Sequence, residues 1–134
     1  MSDFETFQKM KVLIVEDQHE ARVMMRKMLM EFGVTQIFEA SDGRKGLQFT
    51  DSAFDLVDLI ICDWNMPDLT GVEFLRQLRS VGYDVPFLMV TGRADKKSVI
   101  EAKHSGVNGY ICKPFSPVQL EAKLRIIMNK NAAA

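Results

Sequence analysis

The sequence predicts an α/β protein built on a doubly wound parallel sheet, and three observations carry that prediction. Five short runs rich in β-branched or apolar residues alternate with longer segments of helical period: KVLIV (11–15), QIFEA (36–40), DLIIC (58–62), PFLMV (86–90) and GYIC (109–112). The central runs are apolar at consecutive positions, the pattern of strands covered on both faces. A chain of 134 residues, 47% hydrophobic and 26% charged, suits one domain with its own core. The expected organisation is an N-terminal extension (1–10), the domain (11–130) and a C-terminal tail (131–134).

Each element has local support. After the first strand, Asp17-Gln18-His19-Glu20 reads as a capping box. Ala21, Met25, Met28 and Phe32 then recur at helical spacing, and Gly33 ends that helix. Asp42-Gly43 marks the turn into the second helix. Thr70-Gly71-Val72-Glu73 caps the third, whose inward face is Phe74, Leu75 and Leu78. The fourth spans roughly 95–105 and stops at Gly106. The fifth begins near Ser116-Pro117, with Pro in the first turn and Leu120, Leu124 and Ile127 as its buried stripe. MSDFETFQ and NKNAAA read as frayed ends.

Composition excludes several classes. A formal net charge of −1 gives no basic surface for nucleic acid. No apolar run approaches the roughly 20 residues of a membrane helix. The start lacks the basic-then-apolar shape of a signal peptide, so a cytoplasmic protein is expected. Cys62 and Cys112 lie inside apolar runs and read as small buried hydrophobes. His19 and His104 are far apart in sequence, and no thiolate pairing supports a zinc site.

Ligands of doubly wound sheets bind outside the carboxyl ends of the strands. Here the first strand ends in Glu16-Asp17, the third in Asp63, the fourth in Thr91-Gly92 and the fifth in Lys113-Pro114. Taken singly these are ordinary: a helix cap, a turn aspartate, a strand-end threonine, a surface lysine. Their coincidence at four strand ends is not. Three carboxylates and one ammonium would share a rim, and two carboxylates ~5 Å apart repel by roughly 3 kcal/mol at an effective dielectric of 20. Hard oxygen ligands at a small site favour Mg²⁺, which would also let a phosphoryl group approach. Asp63 is then a plausible nucleophile, with Lys113 and Thr91 holding phosphoryl oxygens.

VLIVED (12–17), DWNMPDLTGVEFL (63–75), FLMVTG (87–92) and GYICKPF (109–115) together resemble the receiver domain of bacterial response regulators, nearest to the CheY-like chemotaxis type. The resemblance implies the flavodoxin-like (βα)5 fold with strand order 2-1-3-4-5, which holds the two cysteines too far apart to bridge. It implies that Asp63 is the phosphoacceptor, that Asp17, Asp63 and the backbone carbonyl of Asn65 bind Mg²⁺, and that Glu16 acts through a metal-bound water. Thr91 is implied as the switch hydroxyl, Tyr110 as the aromatic that follows it, Lys113 as the phosphoryl-binding cation, and the Lys113-Pro114 bond as cis. The implied partners are a histidine kinase or histidine phosphotransfer protein and a downstream target such as a flagellar motor switch component. Lys96, Val99, Lys103, His104, Gln119 and Lys123 are the expected output residues, on the face of the fourth helix, fifth strand and fifth helix. Val23, Arg26, Lys27 and Met30, on the outer face of the first helix, form a candidate second surface for kinase docking, since Val23 and Met30 are apolar where water is expected, although one or two exposed apolar residues are normal; His19 opens that helix near the acidic rim.

Two positions and one segment depart from the CheY-like pattern. Glu16 replaces an aspartate. Arg93 is basic where an acid is common, and with Asn65 it flanks the path of hydrolytic water. The segment QFTDSAFDLVD is slightly long before the third strand, so the second helix is expected to differ. A phosphorelay shuttle or phosphate sink is the alternative pathway. Of other classes, an aspartyl-phosphate phosphatase is opposed by Asp63-Trp64-Asn65, which lacks a second acid two residues on. A non-phosphorylated interaction protein is opposed by the presence of every motif residue.

Overall fold

The computed structural model describes residues 3–133. The strands are β1 (Lys11–Val15), β2 (Gln36–Ala40), β3 (Leu59–Asp63), β4 (Phe87–Thr91) and β5 (Gly109–Cys112). They pair in parallel in the order β2-β1-β3-β4-β5, as predicted. The helices are α1 (Asp3–Lys9), α2 (His19–Phe32), α3 (Gly43–Ala53), α4 (Gly71–Ser80), α5 (Lys96–His104) and α6 (Pro117–Ala133). The five predicted helices are therefore α2 to α6.

Strand side chains alternate between the two faces of the sheet, and both faces are covered. Leu13, Val15, Ile60, Cys62, Phe87 and Met89 pack with Phe74, Leu75 and Leu78 of α4 and Ala102 of α5. Val12, Ile14, Leu59, Ile61, Leu88 and Val90 pack with Met25 and Leu29 of α2 and with Leu120, Leu124 and Ile127 of α6. Burying one such side chain contributes about 1.5–3 kcal/mol. These two layers fix the sheet, and the sheet fixes the strand ends.

Several local expectations are corrected. The segment expected to fray at the N-terminus forms α1, because Phe7 is buried against the ring of Phe32, centroids 6.1 Å apart. α6 runs through Ala133, into the segment expected to fray at the other end. α2 has no capping box: its N-cap is Gln18, whose side chain makes no cap bond, and Glu16 Oε2 accepts the Gln18 N–H at 3.1 Å. The buried stripe of α2 is Met25 and Leu29, with Ala21, Met28 and Phe32 only half-buried. The extra length before β3 is taken up by a 3-10 turn over Phe54–Leu56.

Other expectations hold. Gly33 ends α2 at φ 110°, which glycine adopts without a Cβ penalty. Asp42 caps α3, and Thr70 and Glu73 form a reciprocal capping box on α4. Ser116 Oγ accepts the Gln119 N–H at 3.2 Å, and Gln119 Oε1 accepts the Ser116 N–H at 2.8 Å. The Lys113-Pro114 bond is cis. Both cysteines are free, Cys62 buried and Cys112 half-buried.

Candidate functional site

Register places the polar residues before side chains are considered. Val15 of β1 lies beside Cys62 of β3, so Glu16 and Asp63 stand level one step further on. Asp63 pairs in register with Val90, and Thr91 with Cys112, so Thr91 and Lys113 follow at the same edge. Each residue leaves the sheet where its apolar run ends, and the parallel arrangement brings all four ends to one rim.

Three carboxylates meet there. Oxygens of Glu16, Asp17 and Asp63 lie within 4.8 Å of one another, with Asp17 the most exposed of the three. Lys113 Nζ stands 3.1 Å from Glu16 Oε1 and 3.5 Å from Asp63 Oδ2. Glu16 is 1% exposed and Asp63 7%, whereas the Lys113 side chain is about one-third exposed. Burial raises the Glu16 pKa; the Gln18 N–H works against this and the Asp63 charge adds to it. For Lys113, burial acts to lower the pKa, but the charges of Asp63 and Glu16 outweigh it and the net shift is upward. The ammonium therefore stays charged beside Asp63. Among the described residues, Lys113 is the cation paired with these carboxylates, and its single charge leaves three acids short of positive charge. An all-oxygen set of this size fits a hard divalent cation, the charge type that would complete it.

The loop after Asp63 is packed against the core for reasons that lie in DWNMPDLTG. Trp64, Met66 and Leu69 turn inward and are buried, while Asn65, Pro67 and Asp68 face solvent. Gly71 closes the loop. Its N–H donates to the Trp64 carbonyl at 2.8 Å, and a Cβ there would lie 2.2 Å from the Asp63 carbonyl oxygen. The Cys62 thiol, fully buried beneath the acids, has its pKa pushed well up by burial and then by the charges of Asp63 and Glu16. It is a packed thiol, not a nucleophile.

Thr91 and Tyr110 meet at Arg93. The buried Thr91 hydroxyl accepts the Arg93 N–H at 2.9 Å, and the Tyr110 hydroxyl donates to the Arg93 carbonyl. The Arg93 guanidinium lies over the Trp64 ring, 5.0 Å from its centroid, and reaches Asn65 Oδ1 at 3.3 Å. Asn65 and Arg93, which the sequence reading sets beside the path of hydrolytic water, touch each other here. Trp64 carried no functional signal in the sequence; its part emerges only from this contact.

The surface residues are distributed less simply. Lys27 and Met30 of α2 are exposed, but Val23 is half-buried and Arg26 is paired with Glu39 at 2.8 Å. His19 sits 3.4 Å from an Arg22 guanidinium nitrogen, and Arg22 bonds the Glu16 carbonyl at 2.7 Å, so His19 stands beside the rim without joining the acids. On α5 and α6, Lys96, Lys103, His104 and Gln119 are exposed, while Val99 and Lys123 are half-buried.

The sequence profile of the response regulator receiver domain matches residues 12–125. Over 123 residues the chain is 38% identical to the chemotaxis protein CheY of Pseudomonas aeruginosa, covering 90% of this chain and 98% of that one. It is 36% identical to chemotaxis protein CheY-3 of Vibrio cholerae, with 90% and 93% covered. The solved structure of Vibrio cholerae chemotaxis protein CheY4 superposes with a TM-score of 0.80 at 34% identity, over 88% of this chain and 98% of that one. A response regulator receiver domain protein from Clostridium thermocellum superposes at 0.84 with 23% identity, a likeness of fold. A family profile spanning most of the chain and relatives matched over nearly their whole length place the protein in the response regulator receiver family, as a receiver of the CheY-like type.

Proposed function

We propose that the chain is a stand-alone receiver of a two-component phosphorelay, taking a phosphoryl group on Asp63 from the phosphohistidine of a kinase or a histidine phosphotransfer protein. The observation that carries this is the position of the Asp63 carboxylate, 3.5 Å from the Lys113 ammonium and grouped with Glu16 and Asp17. In the transfer, an Asp63 oxygen attacks phosphorus, the phosphorus–nitrogen bond to the donor imidazole breaks, and that imidazole leaves with its electron pair. Lys113 holds positive charge where oxyanion charge develops. Asp17, Asp63 and the Asn65 carbonyl would hold Mg²⁺, with Glu16 acting through bound water; when bound, it supplies screening of the acids and of the incoming phosphoryl oxygens. Hydrolysis of the acyl phosphate returns Asp63, so the chain is a phosphoacceptor and not a turnover enzyme for free substrates.

The switch follows from contacts around Arg93. A new dianion at Asp63 attracts the Thr91 hydroxyl away from the Arg93 N–H, and Tyr110 repacks behind it. This shifts the population of the face formed by α5, β5 and α6. Lys96, Lys103, His104 and Gln119 would then meet the target, a flagellar motor switch component in a chemotaxis pathway. Donor docking is supported by a cavity of about 440 Å³ between α2 and the segment after β5, lined by Met24, Met25, Met28 and Phe115, with Glu16 and Lys113 at its edge. On this reading the protein works in the cytoplasm, where kinase and target would meet it. No helix among the described residues is long and apolar enough to cross a membrane.

The test is incubation with acetyl phosphate or a kinase, with and without Mg²⁺. A stoichiometric, alkali-labile label that needs Mg²⁺ and is lost in Asp63→Asn is expected. Catalytic turnover of a small phosphoester would instead mark a phosphatase, and absence of label would mark an unphosphorylated interaction protein.

A further inference from the structure

A second surface lies at the opposite pole of the sheet, at the N-terminal ends of the strands, and owes nothing to the phosphoryl chemistry. Its centre is Tyr83, which lines two adjoining cavities. One, of about 330 Å³, is bounded by Phe54, Leu78 and Val81. The other, of about 470 Å³, is bounded by Val57, Val85 and Pro86. Phe54 is 61% exposed and Val81 79%, two large apolar side chains in water on the wall of one cavity. The two segments are joined: the Phe54 and Tyr83 rings meet edge-on at 6.4 Å, and the Tyr83 hydroxyl donates to the Phe54 carbonyl at 2.6 Å.

The border of this apolar strip is acidic. Asp51 lines the first cavity and Asp58 the second. Asp58 and Asp55 act electrostatically on the Tyr83 hydroxyl, whose pKa is raised by burial first and by these two charges next. Asp84 follows Tyr83 and acts on Arg79. All four aspartates are exposed. Of the nearby basic residues, Lys9 lines the far cavity, Lys11 donates its backbone N–H to Asp58 Oδ2 at 2.9 Å, and Arg79 is turned inward, donating to the Tyr83 and Gly106 carbonyls at 2.8 and 2.9 Å. An apolar centre inside a net negative rim is complementary to apolar residues flanked by Lys or Arg.

We propose that this face binds a basic amphipathic segment of a partner protein, its apolar side chains entering between Phe54, Val81 and Tyr83 and its cations meeting Asp51, Asp55, Asp58 and Asp84. Because the face sits at the start of β3 while Asp63 ends that strand, a partner held there leaves the acidic rim open to a phosphodonor.

The probe is a fluorescein-labelled amphipathic peptide with Leu and Phe on one side and Lys on the other, titrated with the full chain by anisotropy and mapped by ¹H–¹⁵N shifts. A matched peptide with Glu in place of Lys is the control. Expected are saturable binding of the Lys peptide only, shifts centred on Phe54, Val81 and Tyr83, and weakening as salt rises. Affinity should fall about tenfold in an Asp51→Asn, Asp55→Asn, Asp84→Asn triple variant, whose changes are all at exposed positions. Val81→Glu should weaken it similarly, and beryllofluoride with Mg²⁺ should leave it unchanged. Equal binding of both peptides, shifts centred on Glu16, Asp17 and Asp63, or no binding would overturn the proposal. So would sedimentation showing a dimer of the chain that Val81→Glu dissolves, since the occupant would then be a second copy.

Discussion

Gly71→Ala offers the sharpest check on how the fold holds Asp63. An added Cβ would meet the Asp63 carbonyl oxygen at 2.2 Å, the Trp64 Cα at 2.9 Å and the Asp63 carbonyl carbon at 3.0 Å. All three are backbone atoms, so no side chain can swing aside. The loop must open, stretching the 2.8 Å bond from the Gly71 N–H to the Trp64 carbonyl. Overpacking of this kind costs about 1–3 kcal/mol, and the weakened hydrogen bond adds about 1. Alanine's better helix propensity at the start of α4 returns less than about 1 kcal/mol. The net loss is about 1–4 kcal/mol, or roughly 4–14 °C in Tm for a domain of this size. The displaced atoms belong to Asp63, so beryllofluoride binding in Mg²⁺, read by emission of the chain's one tryptophan, should weaken as well. A variant with wild-type Tm and wild-type beryllofluoride affinity would refute the reasoning that Gly71 is fixed by contact with the Asp63 backbone.

Three further outcomes follow from the same geometry. Lys113→Ala leaves two buried acids without their cation; allowing for the one-third exposure of the lysine, urea unfolding in chelator should show a loss of about 1–2 kcal/mol that narrows when Mg²⁺ is added. Arg93→Ala frees Trp64 and Asn65, so tryptophan emission should change and the phosphoryl half-life on Asp63 should shorten about two- to fivefold; an unchanged half-life would detach Arg93 from control of water at the site. Asp95 caps α5 by accepting the Ser98 N–H at 2.9 Å, and that bond, then the Ser98 hydroxyl, holds its pKa below the ordinary 3.8. Its contribution is therefore present above 3.8 and lost as pH falls through the lower folded-state value. Asp95→Ala should be less stable than wild type at pH ~7 and approach it on acidification; a constant difference would separate the cap from the carboxylate's charge.

Sequence by itself determined the sheet, its parallel sense and the rim on which chemistry collects. Five apolar runs that must be covered on both faces admit few arrangements, and a polar residue directly after such a run has to sit where the strand leaves the core. Thus Glu16, Asp17, Asp63, Thr91 and Lys113 could be placed from their neighbours alone, since each position follows from a buried strand beside it. What tertiary structure decided are contacts between segments distant in the chain. Glu16 meets Lys113 across 97 positions. Arg93 reaches Trp64 and Asn65 from another loop. Asp17 stands with the acids while Gln18 takes the cap position, because the Glu16 carboxylate already accepts the N–H at the start of α2. α1 likewise exists through Phe7 meeting Phe32, a pairing no local pattern announces. Periodicity encodes which face of an element is buried. Which partner a side chain finds depends on register and packing, and those are properties of the assembled sheet.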